Sequence, residues 1–109
     1  MPLSQIRVLD LTRFLAGPFC TMLLADMGAE VIKIETPDHG DDARYQGVVI
    51  RGESGYFVGM NRNKKGLTLD LKSPEGKKIF LRLAEKSDVV VENFRPGVMR
   101  NLGLDYETL

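Results

Sequence analysis

The stretch from Ile6 to Glu35 constrains the fold more than any other part of the chain, because it reads as strand, glycine turn, helix and second strand. Ile6, Val8 and Leu9 lead to Asp10 and Thr12, and Arg13-Phe14-Leu15-Ala16-Gly17-Pro18 makes the turn. Gly17 suits the helix cap, and Pro18 suits the first helical turn, where its missing N–H leaves no bond unmade. Phe19, Met22, Leu23 and Met27 recur at helical spacing, while Cys20, Leu24 and Ala25 fill most of the remaining circumference. Only Thr21 and Asp26 are clearly polar, so the pattern predicts a helix over 18–27 buried nearly all round, and one that leaves apolar surface exposed if the rest of a larger protein is absent. Gly28 stops it, and Glu30-Val31-Ile32-Lys33-Ile34-Glu35 reads as the next strand, ending on a carboxylate.

A second unit of the same kind follows a long irregular segment. From Thr36 to about Ser54 the chain is rich in Pro, Gly, Asp, Arg and Ser, with Val48-Val49-Ile50 as a short edge strand. Ser54 to Met60 reads as a brief helix with Tyr56 and Phe57 inward, leading into the basic run Asn61-Arg62-Asn63-Lys64-Lys65. Leu67-Thr68-Leu69-Asp70-Leu71 alternates as a strand does, and Ser73-Pro74-Glu75 opens a helix running to about Lys86. Ile79, Phe80, Leu83 and Ala84 line its apolar face. Asp88-Val89-Val90-Val91-Glu92 reads as a fully buried strand. Two β-α-β units predict an α/β fold: a Rossmann-like, mostly parallel sheet with helices on both faces. Near the end, Asp105 is a good helix cap followed by Tyr106-Glu107-Thr108-Leu109, which reads as a new helix cut after about one turn. Residues 1–109 are therefore expected to be the N-terminal, incomplete part of a larger domain.

The 109 residues suffice for one core. Fifteen basic residues balance fifteen acidic ones, which argues against nucleic acid or an anionic membrane as partner. One cysteine forms no internal disulfide, and no run is long enough to span a bilayer. A cytoplasmic protein is expected.

In open parallel sheets ligands bind outside the carboxyl ends of the strands. Those positions hold Thr12 to Gly17 after the first strand, Glu35 and Thr36 after the second, Leu71 and Lys72 after the third, and Glu92, Asn93, Phe94 and Arg95 after the fourth. Cations, amide donors, an aromatic ring and a helix N-terminus suit a phosphorylated ligand with an adenine-like ring. A dinucleotide is disfavoured, because the G-x-G-x-x-G motif needs three glycines at the first turn and only Gly17 is there. Other residues read as structural. Cys20 is expected to pack as a small hydrophobe, although a helix N-terminus favours a thiolate. His39 is expected at the surface, Asp10, Asp70 and Asp88 in caps or turns, and Arg62, Lys64 and Lys65 either in a solvated loop or on a phosphate. No catalytic triad or metal constellation is visible.

Taken together, Val8-Leu9-Asp10-Leu11-Thr12, Ala16-Gly17-Pro18, Leu24 to Glu35, Asn61-Arg62-Asn63-Lys64-Lys65, Leu69-Asp70-Leu71-Lys72 with Pro74-Glu75-Gly76, and Val91-Glu92-Asn93-Phe94-Arg95-Pro96-Gly97 resemble the class III (CaiB/BaiF-type) coenzyme A transferases, which include formyl-CoA transferase and alpha-methylacyl-CoA racemase. The resemblance covers nearly the whole chain. It implies coenzyme A contacts from Leu15, Ala16, Thr36, Leu69, Asp70, Leu71, Lys72, Asn93, Phe94, Arg95 and Asn101, with coenzyme A and acyl-CoA as substrates and no tightly bound cofactor or metal. Thr36 and Asn101 stand where formyl-CoA transferase has arginines, and Leu15 where it has a glutamine, which argues against formyl-CoA transfer in particular. The resemblance further implies an aspartate nucleophile beyond Leu109, a mixed-anhydride and enzyme-thioester route between carboxylic acids, and an interlocked homodimer. An acyl-CoA racemase, which needs an acid–base pair, and an inactive coenzyme A or nucleotide-binding fragment are the alternatives.

Overall fold

The computed structural model describes residues 1–37, 40–45 and 49–109. In chain order the elements are β1 (Arg7–Asp10), α1 (Ala16–Asp26), β2 (Glu30–Glu35), a 3-10 turn (Asp42–Tyr45), β3 (Val49–Ile50), β4 (Glu53–Ser54), α2 (Gly55–Met60), β5 (Lys64–Thr68), α3 (Pro74–Glu85), β6 (Val89–Val91) and α4 (Val98–Asn101). The main sheet runs β5-β2-β1-β6, with every neighbouring pair parallel. β3 and β4 form a separate antiparallel hairpin.

Strand alternation divides the apolar residues between two cores. Val8 and Val31, level in the sheet, pack with Ala25 and Ala29 on the α1 side. Leu9, Leu11 and Ile34 point the other way and meet Phe80 of α3, with Leu69 and Leu104. A helix therefore covers each face of an open parallel α/β sheet, as the sequence predicts.

Two glycines let helices approach the strand ends. A Cβ on Gly17 would run into Cβ and Cγ2 of Thr12, and one on Gly76 would run into the Asp70 carbonyl. Gly17 is thus not the cap, as its position before Pro18 suggests. α1 starts two residues earlier than expected, at Ala16, with Leu15 in the cap position and no side-chain cap bond. Ser73 caps α3 as expected, its Oγ accepting from the Gly76 N–H at 3.0 Å.

Several expectations are corrected. Within these residues α1 is not buried all round: Thr21, Met22 and Ala25 are buried, whereas Phe19, Leu23 and Met27 are 45, 43 and 42% exposed, the apolar surface expected where the rest of a larger protein is absent. Cys20 shares that exposed side and does not pack inside. The third strand covers 64–68 and not 67–71, so Lys64 and Lys65 lie in the sheet and not in a solvated loop. Among the described residues β6 is an edge strand, flanked by β1 alone, and Val89 is 41% exposed. Ile79 is also exposed, and the buried line of α3 runs through Gly76 and Phe80. The 3-10 turn and α4 fall where no element is expected. The chain end forms a turn in which Asp105 Oδ1 accepts from the Thr108 N–H at 3.2 Å. Val48 and His39 lie outside the described residues, as does the side chain of Tyr56. Among the described residues, no helix is long and apolar enough to cross a membrane.

Candidate functional site

The chain runs from β1 to β2 and β5 on one side and then crosses back to place β6 on the other side of β1, so the strand order reverses there. That reversal is where open α/β sheets leave a crevice beyond the carboxyl ends of their strands. Here a cavity of about 620 Å³ opens at the ends of β1, β2 and β5 and beside the segment after β6. Buried Leu11, Ile34 and Leu69 supply an apolar base, and Phe94 adds an aromatic ring.

Of the residues singled out in the sequence, Thr36, Leu69, Asp70, Leu71, Lys72, Phe94 and Arg95 line this cavity, together with Arg13 and Glu35. Leu15, Ala16, Asn93 and Asn101 do not. Leu15 and Ala16 are exposed at the start of α1, and Asn101 is exposed at the end of α4, which lends Val98 and Leu102 to the cavity wall. Asn93 bridges to the chain after β1. Its Oδ1 accepts from the Arg13 N–H and its Nδ2 donates to the Arg13 carbonyl, each at 3.1 Å.

The cavity's charges are unequally occupied. Glu35 takes Nε and Nη2 of Arg44, both at 2.7 Å, and accepts from the Asp41 N–H at 2.8 Å. Asp70 turns back on its own loop and accepts from the Lys72 N–H at 3.0 Å. Arg13, Lys72 and Arg95, by contrast, have no ion-pair partner among the described residues. A cavity whose acids are satisfied and whose cations are open favours an anion.

On the opposite, α1 side of the sheet lies a buried charged network that sequence reasoning missed. Asp10 accepts from the Thr12 N–H at 2.8 Å, from the Thr12 hydroxyl and from the Thr21 hydroxyl at 2.7 Å, and it pairs with Lys64 at 2.9 Å. Burial pulls the Lys64 ammonium below its ordinary value, and Asp10 offsets only part of that. Lys33 donates to the Thr12 carbonyl at 2.9 Å and pairs with Asp41 at 2.8 Å. Asp41 Oδ1 in turn accepts from the N–H groups of Phe14 and Ala43 at 3.1 and 2.9 Å. The turn after β1 is therefore pinned at Thr12, Arg13 and Phe14, and Phe14 is held at φ 76°, a region costly for a non-glycine residue. The missed signal was in β2. Val31 and Lys33 share one face of a strand covered on both sides, so Lys33 had to be buried and paired.

The segment after β2 depends on two of these carboxylates. Burial alone would raise Glu35, but the Arg44 guanidinium and the Asp41 N–H outweigh it and hold the carboxyl below its ordinary value. For Asp41, burial is likewise outweighed, by Lys33 and the Ala43 N–H. With folded values below unfolded ones, this stabilisation is fully present above the unfolded values of about 4 and disappears as pH falls through the lowered ones. The packing of Arg44 on Phe57, 3.8 Å from the ring centroid, is expected to persist from neutral pH to about 5 and to loosen below about 4. Phe57 ring shifts in a pH titration would report it, and loosening already at pH 6 would contradict it.

Residues 3–109 match the profile of CoA-transferase family III. The chain is 51% identical over 109 residues to succinyl-CoA:glutarate CoA-transferase of Homo sapiens, covering 99% of this chain and 25% of that protein. It is 49% identical to acetyl-CoA:oxalate CoA-transferase of Acetobacter aceti, covering 99% of this chain and 28% of the relative. A crystal structure of a CaiB/BaiF family protein from Brucella suis superposes with a TM-score of 0.91 at 42% identity, over 99% of this chain and 30% of that one. The chain thus spans about a quarter of the length of the curated relatives it matches. A match along almost the whole sequence, joined to the same backbone arrangement, leads to one conclusion: the chain belongs to CoA-transferase family III.

Proposed function

We propose that this chain is the N-terminal part of the Rossmann-like, coenzyme A-binding domain of an enzyme that moves coenzyme A between carboxylic acids. The carrying observation is the strand-end cavity, where open cations surround an apolar base while the neighbouring acids are already bonded. Coenzyme A fits that chemistry, with phosphates for Lys72 and Arg95, a purine for the Phe94 ring and an apolar arm for the Leu11, Ile34 and Leu69 base. On this reading Thr36, Leu69 to Lys72, Phe94 and Arg95 contact the ligand, Leu15 and Ala16 border its reactive end, and Asn101 lies at the periphery. Asn93 acts through the Arg13 backbone.

The complete protein would supply an aspartate nucleophile from outside these residues, work as a homodimer in the cytoplasm, and use acyl-CoA and a carboxylic acid as substrates. Succinate, glutarate and oxalate, which the two relatives' names specify, make dicarboxylic acids the class to try first. The test is an exchange assay on the complete protein with succinyl-CoA as donor and glutarate or oxalate as acceptor. Acceptor-dependent formation of the new thioester is expected. Exchange of the proton alpha to the thioester without acceptor-dependent transfer would instead identify a racemase.

A further inference from the structure

We infer that Arg13 is a ligand-binding residue that takes an oxyanion of the substrate, and this inference rests on the coenzyme A reading above. The sequence resemblance assigns no role to Arg13. In the structure it lines the cavity, half-buried, with its guanidinium carbon 5.6 Å from the centroid of the Phe94 ring. Arg44, in the turn after β2, is locked onto Glu35. The guanidinium of Arg13 has no carboxylate partner among the described residues.

The backbone around Arg13 is fixed more firmly than a surface loop requires. Both of its own peptide groups are held by Asn93, Thr12 is held by Lys33, and Phe14 by Asp41. A planar guanidinium on a rigid backbone and against an aromatic face loses little freedom when it binds, and its fork of N–H donors matches a carboxylate or phosphate bidentately. Arg13 stands two residues before Leu15 in the chain and shares the cavity lining with Lys72 and Arg95. Two groups on an acyl-CoA present the required oxyanion: a phosphate of coenzyme A, or the free carboxylate of a dicarboxylic acyl group.

Calorimetry on the complete protein with coenzyme A and with succinyl-CoA separates them. Arg13→Gln is expected to weaken binding of at least one ligand by about tenfold to a hundredfold, the range of a lost charge-assisted contact. Equal loss for both ligands assigns the phosphate, and loss confined to succinyl-CoA assigns the carboxylate. Arg13→Lys is expected to recover only part of the loss, because lysine keeps the charge and loses the fork and the ring contact. The bonds that organise the turn are made by the Arg13 backbone, so both variants retain them. Wild-type binding with less than about a twofold change in Arg13→Gln would overturn the role of Arg13 alone. Failure of the wild type to bind either ligand would overturn the coenzyme A reading, and this inference with it.

Discussion

Replacing Asp10 with Ala is expected to cost about 3–5 kcal/mol, the range for breaking a buried ion pair by removing one partner. Asp10 and the side chain of Lys64 are almost wholly buried. The substitution leaves the buried Lys64 ammonium with the Pro18 carbonyl and Asn61 Oδ1 but no counter-charge, and it takes the acceptor from the Thr12 hydroxyl in the turn and from the Thr21 hydroxyl, which joins α1 to β1. Lys64→Met should be milder, because Asp10 would keep the Thr12 N–H and both hydroxyls and the new side chain would fill a similar volume. Native-state hydrogen exchange at β1 and α1 amides measures both. A smaller loss for Asp10→Ala than for Lys64→Met would show that a stranded Asp10 carboxylate costs more than an unpaired Lys64 ammonium and the lost hydroxyl bonds together, against this expectation.

Phe80→Ala is expected to be comparably damaging, at about 3–5 kcal/mol against a usual total of about 5–15. Phe80 is fully buried and is the side chain through which α3 enters the core with Leu9, Leu11, Ile34, Leu69 and Leu104. Three of these, Leu11, Ile34 and Leu69, also line the candidate cavity. The cavity left by truncation would therefore lie just beneath the ligand site, and weaker ligand binding should accompany the loss of stability. Thermal unfolding together with calorimetry gives both effects. A stability loss below about 1 kcal/mol would mean that α3 is held mainly by its capped end and not by Phe80.

How far the fold was legible follows from where its forces act. β2, α2, α3 and β6 fell close to their expected limits because strand alternation, inward aromatics in a short run, Ser73 as a cap and a β-branched run are local signals. β5 was placed late because Lys64 and Lys65 look like loop residues. Their charges are met only by distant partners, Lys64 by Asp10 beneath α1 and Lys65 by Glu30 on the next strand at 2.8 Å. α1 keeps an exposed apolar side within these residues, as expected without the rest of a larger protein, since apolar side chains declare an affinity for a core without saying whether this stretch of chain supplies one. The candidate site was legible as a set of strand ends. What the sequence did not show was the division of labour within that set: Asn93 spends its amide on Arg13, Asp70 spends its carboxylate on its own turn, and the open cations are Arg13, Lys72 and Arg95.

On the proposed reading coenzyme A occupies the crevice beyond β1, β2, β5 and β6. Titrating coenzyme A into isotopically labelled protein, with backbone amide shifts as readout, tests it most directly. Saturable shifts are expected at Arg13, Lys72, Phe94 and Arg95, with Arg7, Glu30 and Asp88 at the opposite end of the sheet unmoved. No shifts, or shifts centred on that opposite end, would contradict the account.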